Sequence, residues 1–388
     1  MRMRKKLMLF LVVLLTFQLL FAGIVFSADE ETVRIGVIQP LTGDVAFDGQ
    51  TAVEGARLAA KFINESGGVL GGREIELVIE DGRCEPSESV SAAEKLIVRE
   101  KVSAITGCFC SSSTGAVMPL AEENEIPLVT GISTSPSLTQ QGNEYFFRAV
   151  GTSKLFARAF AKALKNELNI NRIAYLVVND DWGRGSMESF SEAFAELGGE
   201  NVAKEIFNRG ESDFYSYLTK IKAANPDGIY VVANTSNAAK ATNQIKELGI
   251  EAEVFGEGAW TSDTYLELTG DNSEGIYGVV EYMRAIDTAE NEKFVQGYEK
   301  MFDKNPSKYS AAIYQTINII AEAIDRAGSD DPKAIRDALV KTNYKGLSGT
   351  VRFNENHQAY GFNMYMSRIE NGVPKLALRA QLENPLED

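Results

Sequence analysis

The sequence predicts an α/β fold made of two doubly wound, Rossmann-like lobes, and three observations support this prediction. Short apolar runs alternate with helix-length segments, which is the pattern of parallel sheets covered by helices. The alternation runs from Val33 to Val150 and then restarts. The chain has 388 residues, more than one hydrophobic core usually organises, so two domains are expected.

The first half alternates strictly between strand and helix patterns. Strands are predicted at 33–38, 74–79, 102–106 and 127–130, and helices at 49–64, 86–100 and 113–123. Glycines at 67, 68, 71 and 72 follow the first helix, and Pro86 opens the second, as helix boundaries require. This half therefore predicts one parallel, doubly wound sheet.

The second half repeats the pattern and then changes. After residues 145–150, helices are predicted at 154–168, 183–197, 214–224 and 238–248, with strands at 172–178, 202–207, 228–232 and 252–256. The remainder is helical at 292–302, 311–327 and 332–340 and strand-like at 350–353 and 362–369. Since these last segments cannot form a third doubly wound domain, we expect them to complete the first two.

The N-terminus predicts export. Four basic residues precede apolar runs at 7–15 and 19–26, and small residues at Ser27 and Ala28 precede an acidic stretch. We assign residues 1–28 to a signal peptide, with a retained anchor as the alternative. The protein is then expected in the periplasm or the cell-surface space.

The net charge limits the partners. It is −15 for the whole chain, and removing the four basic residues of the signal leaves −19. Nucleic acid and anionic membrane surfaces are therefore poor partners, because their phosphates attract basic proteins. We expect a monomer that binds a small molecule.

Two hydroxyl-rich turns follow predicted strands. The first, 107–114, contains Ser111, and the second, 131–136, contains Ser133 and Thr134. Unpaired backbone N–H groups at a helix start, beside hydroxyl donors, suit a carboxylate held without a countercharge. The alternative is that the serines only cap the helix. Two such turns at equivalent strand ends favour binding.

The chain has three cysteines, and two of them are predicted to pair. Cys84 and Cys110 each follow a strand of the first lobe, and a disulfide is permitted in an exported protein. Cys108 is then the unpaired thiol. A metal site is not expected, because the C-x-C pair lacks nearby ligands to complete four.

An ordered series of motifs covers essentially the whole mature chain. Those in the first lobe are Ile35-Gly36-Val37, Pro40-Leu41-Thr42-Gly43, Gly55-Ala56-Arg57-Leu58-Ala59, Glu80-Asp81 before Cys84, and Cys110-Ser111-Ser112-Ser113-Thr114. Later motifs are Ser135-Pro136-Ser137-Leu138-Thr139, Phe147-Arg148, Asp181-Trp182-Gly183-Arg184-Gly185, Asp213-Phe214 and Pro226-Asp227. The series resembles the solute-binding proteins of branched-chain amino acid ABC transporters, which have the type I periplasmic binding protein fold.

The resemblance implies two lobes joined by a three-segment hinge, with the ligand between them. The crossings are expected near 148–152, 280–284 and 350–354. Lobe one would comprise 29–149 and 282–352, and lobe two 150–281 and 353–388. A cleft of this kind lies at the carboxyl ends of strands, where ligand sites are common.

The resemblance also implies a set of ligand contacts. In this family the ligand carboxylate is held by the turns that match Ser111 and residues 132–134, which include Ser133 and Thr134. The aromatic residue that covers the ligand matches Trp182, with packing near the hinge as the alternative. The acidic partner of the ligand amino group matches Glu257 after a one-residue shift.

Two positions depart from the family pattern. Asp48, preceded by Phe47, stands where the family usually has an aromatic residue, and Ser153 stands where an acidic residue often follows the first crossing. Asp48 can hold a ligand ammonium or cap the helix that follows it.

The specificity end of the pocket also differs. The segment 234–237, which includes Thr235, lacks the family's aromatic pair, so we expect a more polar or roomier pocket there. Trp260, with Phe47 and Trp182, can line a space for a larger flat side chain, or it packs inside lobe two.

The resemblance implies an extracytoplasmic binding protein that captures a branched-chain or other hydrophobic amino acid by hinge closure. It would deliver the ligand to an ABC permease and its ATPase subunits. The alternative is a binding protein or sensor for an amide, urea-like or aromatic carboxylate ligand. No catalytic residue or cofactor is expected, since the sequence has no G-x-S-x-G motif and its single histidine, His357, lies in a polar stretch.

Overall fold

The computed structural model describes residues 32–258 and 260–381. The predicted signal peptide, 1–28, lies outside these residues. In the described part of the chain, no helix is both long and apolar enough to span a membrane.

Lobe one is the part of the protein built on a sheet of five parallel strands. They are β1 (Val33–Gln39), β2 (Ile75–Asp81), β3 (Ala104–Thr106), β4 (Leu128–Thr130) and β5 (Phe146–Arg148). Their order in the sheet is β2-β1-β3-β4-β5. Between them run the helices α1 (Ala46–Glu65), α2 (Pro86–Glu94), which continues as a π-helical turn to Arg99, and α3 (Ser111–Glu123).

Lobe two contains a sheet of nine strands. The strands are β6 (Arg172–Val178), β7 (Glu200–Phe207), β8 (Gly228–Val232), β9 (Glu253–Glu257), β10 (Tyr277–Val280), β11 (Tyr344–Gly346), β12 (Gly349–Phe353), β13 (Ala359–Glu370) and β14 (Val373–Gln381). Strands β10-β9-β8-β6-β7 are parallel, and β13, β12, β11 and β14 add antiparallel pairs. The helices are α4 (Ser153–Asn166), α5 (Asp181–Glu196), α6 (Tyr215–Ala223), α7 (Thr235–Glu247) and α8 (Asp263–Thr269).

Three later helices return to lobe one: α9 (Ala289–Phe302), α10 (Lys308–Ala327) and α11 (Pro332–Leu339). Helix α10 packs along α1, and α11 packs on α10. The chain thus passes between the sheets at 149–152, at 281–288 and at 340–343. Strand β11 and all but the last residue of β12 fall within the stretch 282–352 predicted for lobe one, yet both strands are hydrogen-bonded into the sheet of lobe two.

Strand β6, which lies between β8 and the edge strand β7, shows why an unbroken apolar run predicts a sheet covered on both faces. Ile173, Tyr175 and Val177 belong to the core on one face, and Ala174 and Leu176 to the core on the other, all of them fully buried. A strand buried on both faces has no polar alternation, as expected for a parallel sheet between helices. The predicted α/β fold with two doubly wound sheets is confirmed.

Several helices begin earlier than the apolar pattern predicts, because polar caps belong to them. Helix α5 begins at Asp181 rather than 183, since the side chain of Asp180 accepts a hydrogen bond from Gly183 N at 2.9 Å. Helix α7 begins at Thr235 rather than 238, since Asn234 accepts from Asn237 N at 3.0 Å. These caps place both helix N-termini at the cleft between the lobes.

Candidate functional site

A cavity lies between the lobes, at the carboxyl ends of their strands. The space not filled by protein atoms is about 580 Å³, a volume that includes space open to solvent. Lobe one contributes Val45, Phe109, Cys110, Ser111, Ile132, Thr134, Lys308 and Tyr309. Lobe two contributes Phe156, Val178, Asp180, Trp182, Arg209, Asn234 and Glu257.

The first hydroxyl turn presents Ser111 at the start of α3. Gly107 permits the tight turn after β3, because its φ is +142° and a Cβ there would lie 2.3 Å from the carbonyl oxygen of Ile38. Ser111 is buried, and its Oγ accepts a hydrogen bond from Ser135 N at 3.2 Å. The Ser111 hydroxyl proton therefore stays available to donate, beside the N–H groups of the helix start.

The second hydroxyl turn contains Ser133 and Thr134. Ser133 Oγ lies 2.7 Å from Thr114 Oγ1 and donates to the carbonyl oxygen of Phe109 at 3.0 Å, so its side chain ties the two turns together. Thr134 lines the cavity, and Ser153 donates to it through both its backbone N–H and its hydroxyl, at 2.9 and 3.1 Å. Of the two predicted side chains, only Thr134 faces the cavity.

Arg148 fixes the second turn from behind. Its side chain is fully buried, and it donates to the carbonyl oxygen of Ser135 at 2.5 Å and to Gln358 Oε1 at 2.6 Å. Burial lowers the pKa of Arg148 to about 9. Because Ser135 also donates to Ser111, Arg148 sets the position of one turn relative to the other.

The cysteines are arranged as predicted. Cys84 and Cys110 form a disulfide with their Cα atoms 5.4 Å apart, and the bridge joins the loop after β2 to the N-cap of α3. Cys108 is a buried free thiol whose pKa burial raises to about 12. Within residues 32–258 and 260–381, no group of three or more His, Cys, Asp or Glu side chains is placed to hold a metal ion.

Trp182 lines the lobe-two side of the cavity. It is the second residue of α5, directly before Gly183, where an added Cβ would lie 2.0 Å from the carbonyl oxygen of Val178. Only glycine allows the helix to start this close to the end of β6. The indole Nε1 donates to Glu257 Oε2 at 3.1 Å, which fixes the ring at the cavity wall.

Glu257 is a buried carboxylate at the end of β9. Its Oε2 lies 3.1 Å from Trp182 Nε1, Ser153 Oγ and Ser186 Oγ, and its Oε1 accepts from Tyr230 at 2.5 Å. Burial raises its pKa, and the surrounding hydrogen bonds favour the charged form. The positive charge of Lys308, which pairs with Glu281 and also lines the cavity, lowers the pKa of Glu257 as well. Among the described residues Glu257 makes no salt bridge of its own, so it can accept an ammonium group from a ligand.

Asp48 and Thr235 bind each other across the cleft instead of lining it. Thr235 donates to Asp48 Oδ1 through its hydroxyl at 2.7 Å and to Oδ2 through its backbone N–H at 3.3 Å. Asp48 lies inside α1 and makes no cap there; it sits at the N-terminus of α7. Burial raises the pKa of Asp48 to about 6.

Phe47 and Trp260, the two other candidates for the pocket wall, lie outside the cavity, as does the single histidine. Phe47 is 47% exposed, with Lys304 Nζ 5.8 Å from its ring centre. Trp260 is buried in lobe two, where its Nε1 donates to the backbone oxygen of Glu257 at 2.9 Å. His357 stacks on Phe147 with the ring centres 4.1 Å apart. Of the two alternatives for Trp260, packing inside lobe two is the one observed.

Sequence reasoning missed several residues of the cavity wall. Arg209, in the loop after β7, pairs with Asp180 at 2.7 Å, and Lys308, at the start of α10, pairs with Glu281 at 3.3 Å. The aromatic rings of Phe109 and Tyr309 pack together with their centres 4.8 Å apart. Arg209 follows a strand and Lys308 begins a helix, which are positions where ligand contacts are common. The sequence does not indicate which of these positions face each other, because that depends on how the two lobes pack together.

Comparisons with known proteins agree with this geometry. Residues 32–373 match the family model described as periplasmic binding protein. A leucine-, isoleucine-, valine-, threonine- and alanine-binding protein of Pseudomonas aeruginosa is 27% identical over 339 residues, which cover 87% of this chain and 90% of that protein.

Two solved structures have the same architecture. A leucine-binding protein of Thermotoga maritima superimposes with a TM-score of 0.82 at 30% identity, covering 92% of this chain and 100% of that one. A branched-chain amino acid transporter substrate-binding protein of Streptococcus pneumoniae, in complex with isoleucine, gives 0.83 at 27% identity, covering 91% and 100%. The fold is the type I periplasmic binding protein fold, and the chain belongs to the periplasmic binding protein family.

Proposed function

We propose that this protein binds a hydrophobic amino acid in the cleft and delivers it to an ABC permease and its ATPase subunits. The observation that carries the proposal is the polarity of the cavity. Hydroxyl groups and a helix N-terminus lie on one wall, and a buried carboxylate without an ion pair among the described residues lies on another. A zwitterion matches both.

The ligand carboxylate would lie at Ser111 and Thr134. Ser111 retains its proton for donation, and the first N–H groups of α3 have no acceptor within the helix. Hydrogen bonds to a charged group contribute about 1.5–3 kcal/mol each when well aligned. Two or three of them hold a carboxylate firmly without a bonded cation.

The ligand ammonium would lie at Glu257. Taking a carboxylate out of water without a counter-ion is costly, and an ammonium group from the ligand removes that cost. Ser153 links the two ends of the site, because its hydroxyl lies 3.1 Å from both Thr134 Oγ1 and Glu257 Oε2.

The rest of the cavity favours an apolar side chain. Its walls include Val45, Phe109, Ile132, Phe156 and Val178, and the indole of Trp182 covers one side. An aliphatic side chain removes this apolar surface from water, which contributes about 25 cal/mol for each Å² buried. The relatives support the same class, since they are named as leucine-, isoleucine- and valine-binding proteins or were solved in complex with isoleucine.

Hinge closure is the mechanism we propose for capture. A ligand that touches Ser111 in lobe one and Trp182 and Glu257 in lobe two stabilises the closed state by its differential affinity. The permease would recognise that state and receive the ligand unchanged, with no reaction on the protein. The family supports an exported location, in the periplasm or at the cell surface, and we propose a monomer.

Calorimetry on protein stripped of carried-over ligand tests the proposal. Leucine, isoleucine, valine and phenylalanine should be compared with glutamate, with 4-methylpentanoate, which is leucine without its amino group, and with benzoate. We expect binding of hydrophobic amino acids and little binding of the two carboxylates. Binding of benzoate or 4-methylpentanoate without binding of any amino acid would instead support a carrier or sensor of simple carboxylates.

A further inference from the structure

Arg209 connects the two lobes at the edge of the ligand cavity. It follows β7 in lobe two, and its Nη1 donates to the carbonyl oxygen of Cys84 at 3.0 Å and to Cys110 Sγ at 3.3 Å. Its Nη2 donates to Asp180, also in lobe two, at 2.7 Å. The guanidinium group is thus anchored in one lobe and donates to the disulfide-bonded pair of the other.

We propose that Arg209 and the Cys84–Cys110 disulfide form a latch that holds the cleft closed and sets how long the ligand stays bound. The role is distinct from the ligand contacts assigned above. It makes Arg209 a positioning residue that acts through the closed state.

The anchoring favours a latch over a loose surface contact. The side chains of Arg209 and Asp180 are only 19% and 10% exposed. Asp180 is itself fixed, because it caps α5 by accepting from Gly183 N. Because the ion pair with Asp180 lies wholly within lobe two, it persists when the lobes separate, so little side-chain entropy is lost when Arg209 meets lobe one.

The contacts with lobe one exist only when the lobes are together. On opening, Arg209 keeps Asp180 but loses the carbonyl oxygen of Cys84 and the sulfur of Cys110. Interactions present in one state and absent from the other shift the equilibrium by their own free energy. Those made by Arg209 thus favour closure.

The disulfide holds the two acceptors of Arg209, the carbonyl oxygen of Cys84 and the sulfur of Cys110, close to each other. Cys84 lies in the loop after β2 and Cys110 occupies the N-cap position of α3, so without the bridge these two groups belong to separate loops. Cys110 also precedes Ser111, the first residue of the proposed carboxylate site. The latch therefore grips lobe one at the turn that would hold the ligand.

Dissociation kinetics test the latch. Tryptophan fluorescence in a stopped-flow instrument reports on binding, since Trp182 lines the cavity and hydrogen-bonds to the side chain of Glu257. Arg209→Gln should raise the ligand dissociation rate about 10- to 100-fold and leave the association rate within about twofold. Arg172→Gln is the matched control, because Arg172 pairs with Glu200 inside lobe two; it should change neither rate.

A double-mutant cycle with the disulfide distinguishes a latch from a direct contact between Arg209 and the ligand. In the Cys84→Ser/Cys110→Ser background, Arg209→Gln should raise the ligand dissociation rate by a clearly smaller factor, because the disulfide that holds the two acceptors together is already absent. An equal effect in both backgrounds means that Arg209 acts on the ligand itself, and an unchanged dissociation rate in Arg209→Gln means that it has no role; either result overturns the latch.

The dissociation rates can be measured only if the protein binds a ligand, so this test of the latch rests on the proposed function. Small-angle X-ray scattering needs no ligand. The latch and the proposed function can therefore fail separately. Arg209→Gln should have a larger radius of gyration than Arg172→Gln, because the closed population falls. Equal radii would contradict the latch, whereas absence of amino acid binding by the wild-type protein would contradict only the proposed function.

Discussion

Replacing Glu257 by glutamine should abolish the preference of the site for an amino acid over the corresponding simple carboxylate. Glu257 is 2% exposed and lacks an ion pair among the described residues, so it is the group we assign to the ligand ammonium. A hydrogen bond to a charged partner contributes about 1.5–3 kcal/mol, which corresponds to about 10- to 150-fold in affinity. Leucine binding should weaken by this factor in Glu257→Gln.

The assay is calorimetric titration of wild type and variant with leucine and with 4-methylpentanoate. Because the carboxylate end is untouched, 4-methylpentanoate should bind the two proteins about equally. Glu253→Gln, at the exposed start of the same strand, is the control and should bind leucine as the wild type does. The reasoning is refuted if leucine binds Glu257→Gln with unchanged affinity, or if the variant weakens both ligands equally.

Three further predictions concern the indole, a buried carboxyl and the disulfide. Trp182→Phe should weaken leucine binding about 2- to 10-fold, as expected for one lost hydrogen bond. It should also remove the ligand-induced change in tryptophan fluorescence, because the remaining tryptophan, Trp260, is buried away from the cavity. A fluorescence change that persists in this variant would contradict the prediction. Burial raises the pKa of Asp48 from 3.8 to about 6, so the folded protein should lose up to about 3 kcal/mol of stability as pH rises from 4 to 6. Thermal melts of Asp48→Asn should show a flatter pH profile across this window, and identical profiles would count against it. Cys84→Ser/Cys110→Ser opens a loop with a sequence separation of 26 and should cost about 3.5 kcal/mol in urea unfolding; an unshifted midpoint would refute this.

The fold was predictable because its signals are local. The apolar run of β6 and the helix-length segments around it need no knowledge of distant residues. Boundaries were less accurate where a polar residue belongs to a helix, as Asp180 and Asn234 do. Helix α8 and strand β10 lie in a stretch where no strand or helix was predicted, and the long hairpin β13–β14 exceeds the predicted strand.

The site was predictable only in part, because it is assembled across the cleft. Ser111, Thr134, Trp182 and Glu257 reach the cavity from strand ends, which the alternating pattern locates. The contact between Asp48 and Thr235 joins residues 187 apart in sequence, and no local pattern encodes that distance.

Arg209 illustrates the same limit. Its two lobe-one acceptors belong to Cys84 and Cys110, whose pairing the sequence predicts, but no sequence pattern indicates that Arg209 of the other lobe meets them. The role of such a residue follows from the closed arrangement of the lobes and not from its own position in a motif.

The orientation of leucine in the cleft can be observed in a crystal structure of the complex. We expect the leucine carboxylate to accept hydrogen bonds from Ser111 and Thr134, and its ammonium group to lie within hydrogen-bond distance of Glu257. The isobutyl group should pack beside Trp182. A ligand bound in the reverse orientation, or outside the cleft, would show that these side chains do not have the roles proposed for them.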